Sequence, residues 1–257
     1  MTFSRIDGPA DAPVLVLSNS LGTTLALWDP QMPVLKEHFS VLRYDHPGHG
    51  LGSPRPVSSV EALARGVLEI LDGHGIERVS FCGLSLGGAV GQWLAINAPE
   101  RIDRLVLACG SARFGQPESW RARIDTVRAG GVEAVADAVI AIWFTPETRR
   151  DSPELVRAYR EMMVSAEREG YAGCCEALAR WDPGDELAGI RSPTLVIAGS
   201  EDAATPAAQG EALQRRIPGA RLSVLQGAGH LANLEQPDAF TRLLVDHLTA
   251  RPATEVA

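Results

Sequence analysis

Gly83-Leu84-Ser85-Leu86-Gly87 is the segment of this chain with the clearest chemical reading. It is a G-x-S-x-G pattern set between an apolar run ending at Cys82 and a helical run beginning at Leu86. A serine in such a strand–turn–helix is lifted above the end of a sheet, and small flanking residues let neighbouring backbone approach. The helix N-terminus then aims free N–H groups and a positive dipole end at developing negative charge. An incidental serine in a Gly-rich turn is the plain alternative; the setting directly between strand and helix favours a nucleophile.

A serine hydroxyl needs a base. Of six histidines, His230 stands in Gly227-Ala228-Gly229-His230, a Gly-rich loop after the last strand. His74 and His247 fall at helix ends and read as solvated or capping. His46 and His49 occupy His46-Pro47-Gly48-His49-Gly50, where Pro and Gly forbid the helix that an i, i+3 metal pair needs; we read a structural turn near the pocket. The base needs an orienting acid. Asp202 follows a strand ending at Ala198, with Glu201 as its rival. The order Ser85, Asp202, His230, each after a strand, is the order of α/β-hydrolase triads. Two backbone donors complete such a site. We place them on Leu86, just after the nucleophile, and on Leu21 in the loop Asn19-Ser20-Leu21-Gly22-Thr23.

These residues must be positioned by alternating elements. Strands are expected over Val14–Ser18, Val41–Tyr44, Arg78–Cys82, Leu105–Cys109, Thr194–Ala198 and Arg221–Leu225. Helices are expected over Val60–His74, Leu86–Ala98, Ala207–Arg216 and Pro237–Leu248. Strand-then-helix alternation with continuously apolar strands implies a mostly parallel sheet with helices on both faces. Between Arg113 and Arg180 the alternation stops. Helical spacing runs over Val127–Trp143, Pro153–Glu169 and Tyr171–Trp181 without a clear strand. The expected organisation is therefore an α/β core of residues 1–112 and 181–257, with residues 113–180 inserted as a helical cap over the sheet's C-terminal edge.

Composition sets limits around this reading. The chain has 257 residues, 24 Lys plus Arg and 32 Asp plus Glu, a formal net charge of -8. That balance argues against nucleic acid or an anionic membrane surface as the partner. Residues 113–180 hold ten Arg and eleven acidic residues, so this stretch is nearly neutral and compatible with an anionic small molecule. Cys82, Cys109, Cys174 and Cys175 form no CxxC pair, which gives a zinc or redox motif little support. The N-terminus lacks the basic-then-apolar order of a secretory signal, and no apolar run reaches the length of a membrane span, so the expected location is the cytoplasm.

The chain resembles the α/β-hydrolases throughout, and more narrowly the 3-oxoadipate enol-lactonases of the β-ketoadipate pathway. The resemblance rests on Ser18-Asn19-Ser20-Leu21-Gly22-Thr23 with Trp28, Tyr44-Asp45 leading to Gly48-His49-Gly50, and the elbow segment through Gly88. It continues through Gly91-Gln92-Trp93-Leu94, Trp143-Phe144-Thr145-Pro146, and Gly170-Tyr171 before Cys174-Cys175-Glu176-Ala177. It closes with Ala198-Gly199-Ser200-Glu201-Asp202, Thr205-Pro206, and His230 with Asn233, Glu235, Gln236 and Pro237. The chain departs from the family at His46-Pro47, where Thr-Arg is usual, and at Trp181. The resemblance implies a serine esterase acting on an enol-lactone with a carboxymethyl arm, without metal or organic cofactor. An anionic substrate asks for a cation or polar donors, for which Arg113, Trp143, Ser20 and Gln92 are the candidates. A general carboxylesterase or perhydrolase on the same triad is the alternative. A catalytically inactive hydrolase fold used for ligand binding is the alternative of another class.

Overall fold

The computed structural model describes residues 3–250. Seven strands form one sheet: β1 (Ser4–Asp7), β2 (Val14–Ser18), β3 (Ser40–Tyr44), β4 (Val79–Leu84), β5 (Ile102–Ala108), β6 (Thr194–Gly199) and β7 (Arg221–Leu225). Their spatial order is β1-β3-β2-β4-β5-β6-β7. Only β1 runs antiparallel, against β3; every other neighbouring pair is parallel. The sequence-based strands fall on β2 to β7, with ends shifted by three residues at most. β1 escapes the pattern because Ser-Arg-Ile-Asp has a single apolar residue and lies at the sheet's edge, where charge is tolerated.

The helices are α1 (Met32–His38), α2 (Val60–Gly73), α3 (Leu86–Asn97), α4 (Pro117–Gly130), α5 (Glu133–Trp143), α6 (Pro146–Asp151), α7 (Pro153–Val164), α8 (Arg168–Arg180), α9 (Ala207–Arg216), α10 (Ala232–Glu235) and α11 (Pro237–Leu248). Ser59 caps α2 by accepting from the Ala62 N–H, and the helix buries Val60, Leu63, Ala64, Val67, Ile70 and Leu71 along one stripe. α3 is buried almost all round from Leu86 to Ala95, as its weakly polar sequence requires. Gly91 lets it settle on the sheet, since a Cβ there would meet the Phe81 ring at 2.9 Å.

Five helices, α4 to α8, lie between β5 and β6. The run expected over Val127–Trp143 is two helices, because Gly131 takes a φ of 77° and breaks it. α6 is a further departure: Thr145 caps it by accepting from the Thr148 N–H, and Pro146 starts it. The inserted helices are fused to the sheet by one hydrophobic core that includes Leu86, Trp143, Met163 and Tyr171 together. One close backbone approach to the core is Gly170 against Gly48, where a Cβ on either glycine would sit 2.4 Å from the other's Cα. The Glu167 N–H donates to the Gly48 carbonyl at 2.8 Å beside this contact.

Candidate active site

Because β2, β4, β6 and β7 are parallel, the segments that follow them all emerge at one edge of the sheet. Ser85 sits directly after β4 with φ 55° and ψ -108°, a strained conformation for a non-glycine residue. The turn is enforced on both sides. The Ser85 N–H donates to the Ala108 carbonyl at 2.9 Å, and the Gly87 N–H to the Asn19 carbonyl at 3.0 Å. A Cβ on Gly83 would lie 2.0 Å from the Gly87 carbonyl oxygen, and one on Gly87 2.2 Å from that of Ser18. Only glycine fits either place.

Asp202 stands on the loop after β6 and is buried, whereas Glu201 points into solvent. Its carboxylate accepts from the Ala204 and Thr205 N–H groups, both at 2.8 Å. Thr205 Oγ1 lies 2.7 Å from Asp202 Oδ2 and 2.9 Å from the Cys109 carbonyl, so two acceptors compete for one proton. His230 Nδ1 sits 3.0 and 3.1 Å from the two carboxylate oxygens. Burial pushes the Asp202 pKa up, but the His230 charge and the bonds from His230 and Thr205 outweigh it and hold the carboxyl below its ordinary value. An ionised Asp202 fixes the tautomer with a proton on Nδ1, which leaves Nε2 free to accept one.

The His230 loop is pinned to the inserted helices. The His230 and Leu231 N–H groups both donate to the Trp143 carbonyl, at 2.9 and 3.2 Å. Glu235 accepts from Gly229 N–H through one oxygen and from the Thr145 N–H and hydroxyl, both at 2.9 Å, through the other.

Leu21 and Leu86, the two residues expected to be donors, each present a free backbone N–H. Leu86 opens α3, where backbone N–H groups have no intrahelical acceptor, and among the described residues neither the Leu21 nor the Leu86 N–H meets a protein acceptor. The loop carrying Leu21 is held from below by the turn after β3. His46 Nε2 donates to the Asn19 carbonyl at 3.0 Å. The Gly22 N–H donates to His49 Nε2 at 3.0 Å, while His49 Nδ1 donates to the Pro47 carbonyl at 3.0 Å. Both rings are therefore used as neutral imidazoles. Burial, then the neighbouring His49, lowers the His46 pKa to about 3. Burial also lowers that of His49, against the Pro47 bond and Asp45.

Ser20, Leu21, Ser85 and His230 line one cavity of about 190 Å³, small for a ligand pocket. Phe114, Trp120, Arg123, Trp143 and Tyr171 close it from the helical side. A strained nucleophile, a carboxylate-oriented imidazole and two free N–H donors around a small, largely apolar cavity can perform acyl transfer.

A family model described as the alpha/beta hydrolase fold matches residues 13–237. The chain belongs to the α/β-hydrolase fold family. It is 42% identical over 234 residues to 3-oxoadipate enol-lactonase 2 of Acinetobacter baylyi, covering 91% of this chain and 87% of that protein. The crystal structure of the enol-lactonase from Burkholderia xenovorans superposes with a TM-score of 0.94 at 43% identity, covering 96% of each chain. At 32% identity over 244 residues, 91% of this chain and 93% of the other, it is also similar to an Agrobacterium fabrum protein named as a candidate carbamate hydrolase, RutD.

Within this α/β-hydrolase, two sequence-based binding candidates lie elsewhere. Arg113 is largely exposed, 4.0 Å from Asp182, and does not line the cavity. Gln92 is buried with its amide already engaged: Nε2 donates to the Ser111 carbonyl at 3.0 Å and Oε1 accepts from Trp181 Nε1 at 3.3 Å. The hydrolase's cavity cation is Arg123 instead. The sequence carries a signal for it, because Trp120, Arg123, Ile124 and Val127 share one helical stripe, and a cation on an apolar stripe faces inward. Among the described residues, no group of three or more His, Cys, Asp and Glu side chains is placed to hold a metal. The four cysteines are free and buried. No helix of the described residues is long and apolar enough to cross a membrane.

Proposed function

We propose that this protein hydrolyses the ester bond of 3-oxoadipate enol-lactone to give 3-oxoadipate, in the cytoplasm, as a step of aromatic-compound catabolism. The support is the combination of the Ser85–His230–Asp202 arrangement with similarity to enol-lactonases along nearly the whole chain. His230 Nε2 takes the proton of Ser85 as Oγ attacks the lactone carbonyl. Leu21 and Leu86 N–H groups hold the resulting oxyanion, and Asp202 stabilises the imidazolium. Collapse breaks the bond between the acyl carbon and the enol oxygen. The enolate leaves with little need of acid assistance and takes up the proton held by His230, which makes the imidazole neutral again; the resulting enol then becomes the ketone. Water, deprotonated by His230, attacks the acyl-enzyme, and the proton returns to Ser85. Residues 113–180 act as the cap that shapes the substrate cavity above this machinery.

The experiment compares kcat/KM for the enol-lactone with that for short neutral p-nitrophenyl esters. A large advantage for the lactone is expected; comparable values would overturn the assignment and leave a general esterase. The RutD similarity favours a second reading, hydrolysis of a small carbamate. There the leaving nitrogen must be protonated, so His230 has to act as acid before the bond breaks. A higher kcat/KM on a small carbamate than on the lactone would select that reading.

A further inference from the structure

Two polar groups in the cavity take no part in the acyl-transfer chemistry. Arg123 is half-buried on α4, lines the cavity, and has no Asp or Glu within salt-bridge distance among the described residues. Its guanidinium carbon lies 4.9 Å from the centre of the Trp120 ring, a cation–π contact that fixes the side chain without neutralising its charge. Tyr171, on α8, is fully buried and lines the same cavity, yet its hydroxyl proton has no acceptor among the described residues. Its ring is wedged against the oxyanion loop, with Cε2 3.3 Å from where a Cβ of Gly22 would sit. Burial and then the Cys175 thiol raise the Tyr171 pKa, and the Arg123 charge and a guanidinium N–H directed at the phenol oxygen oppose both, which places the two groups side by side. A buried donor without an acceptor and a cation without a counter-ion, facing one small cavity, are complementary to an anion that brings oxygen acceptors.

We propose that Arg123 and Tyr171 form a subsite for a carboxylate carried on the acyl substrate, the guanidinium and the phenol O–H both donating to its oxygens. The proposal deepens the lactonase reading and rests on it for the identity of that substrate. Arg123 sets selectivity for anionic over neutral esters; Ser85 and His230 treat the ester bond alike in both.

The test measures kcat/KM for mono-p-nitrophenyl adipate and for neutral p-nitrophenyl hexanoate, in the wild type and in Arg123→Met, Arg123→Lys and Tyr171→Phe. The wild type should prefer the anionic ester. Arg123→Met should lower the anionic-to-neutral ratio by about 10- to 100-fold, mainly through KM, as expected for a charge-assisted pair. Arg123→Lys should recover part of that loss, and Tyr171→Phe should lower the ratio less. A ratio that falls by less than about fivefold in Arg123→Met overturns the subsite, including the case where both substrates decline together. If Arg123→Met does not fold, competitive inhibition of the wild type decides. Glutarate should bind at least about tenfold tighter than its neutral diamide, and equal binding overturns the proposal. Wild-type protein that ignores the enol-lactone but keeps an Arg123-dependent anionic preference would refute the lactonase reading alone. Lactone hydrolysis with an unchanged ratio would refute the subsite alone.

Discussion

His46 should make the fold sensitive to mild acid, and the effect can be worked from its surroundings. The ring is buried beneath the loop that carries Leu21, edge-on to Tyr44 at 5.2 Å and 6.4 Å from the His49 ring centre. Its Nε2 is committed to the Asn19 carbonyl, and its Nδ1 is buried without a partner. A proton added at Nδ1 would be an unsolvated charge beside a second imidazole. The folded pKa is accordingly about 3, against 6.5 for an ordinary histidine. A folded value below the unfolded one means that the unfolded chain binds the proton more readily. Stability is therefore complete above the unfolded value and is lost as pH falls from about 7 toward 3. At pH 5 the unfolded histidine is almost fully protonated and the folded one is not, which costs about 2 kcal/mol relative to pH 7. That figure depends only on the folded pKa lying well below 5.

His49, lowered by burial, and His247, lowered by burial and by Arg221 and Arg104 to about 4, add losses of the same sign. Asp202 does not confuse the measurement. Its depressed carboxyl contributes stability that is present above its ordinary value near pH 4 and lost only below it. Urea unfolding at pH 7 and pH 5, for wild type and His46→Gln, isolates the term. The drop in unfolding free energy between the two pH values should be smaller in the variant by about 2 kcal/mol. An equal drop in both proteins would mean that His46 is protonated in the fold or reachable by water, and the reasoning about its burial would be wrong.

Ser85→Ala should abolish turnover, by about a thousandfold or more, while thermal melting stays within a few degrees of wild type. Residual activity near wild type would remove Ser85 from the mechanism. Thr205→Val removes the hydroxyl shared between Asp202 and the Cys109 carbonyl, and should destabilise the fold by about 1–3 kcal/mol in urea unfolding. The same variant should raise the Asp202 pKa, so the acid limb of its pH–rate profile moves upward; an unmoved limb would show that the backbone N–H donors suffice.

What could be read from the chain follows from how its residues are used. Strands buried on both faces must be apolar throughout, so Val14–Ser18 and Thr194–Ala198 are visible without any partner. The elbow is visible because close backbone approaches require glycine at both 83 and 87, on either side of Ser85. Asp202 and His230 can be picked out because each lies in the loop that follows a strand of the same parallel sheet. Other features depend on contacts that no local pattern carries. β1 exists because β3 offers it an edge, not because Ser-Arg-Ile-Asp favours a strand. Gln92 sits beside the elbow in sequence, but Ser111 and Trp181 claim its amide. Arg113 follows β5 as a pocket residue should, yet the chain carries it out toward Asp182. Arg123 sits ten residues further on, and only the stripe it shares with Trp120 and Val127 marks it. The His46–His49 turn reads correctly as structural from Pro47 and Gly48; what it supports becomes clear only when Asn19 and Gly22 appear as its acceptor and donor.

That turn also joins the two halves of the site. The loop bearing Leu21 rests on His46 and His49 from the sheet side and is roofed at Gly22 by Trp143, Met163 and Tyr171 from the inserted helices. A Cβ at Gly22 would meet those three side chains at 3.1 to 3.3 Å, so the loop has no slack toward the helices. Trp143 further holds the His230 backbone through its carbonyl. The inserted helices therefore contact both the Leu21 loop and the His230 loop. A substitution that shifts the Trp143 end of α5 should move the Gly22 loop and the His230 loop together, whereas one on the exposed face of α7 should move neither. In the proposed mechanism selectivity and rate are coupled through Trp143 and Tyr171, because each lines the cavity and also bears on a loop that carries a proposed catalytic group.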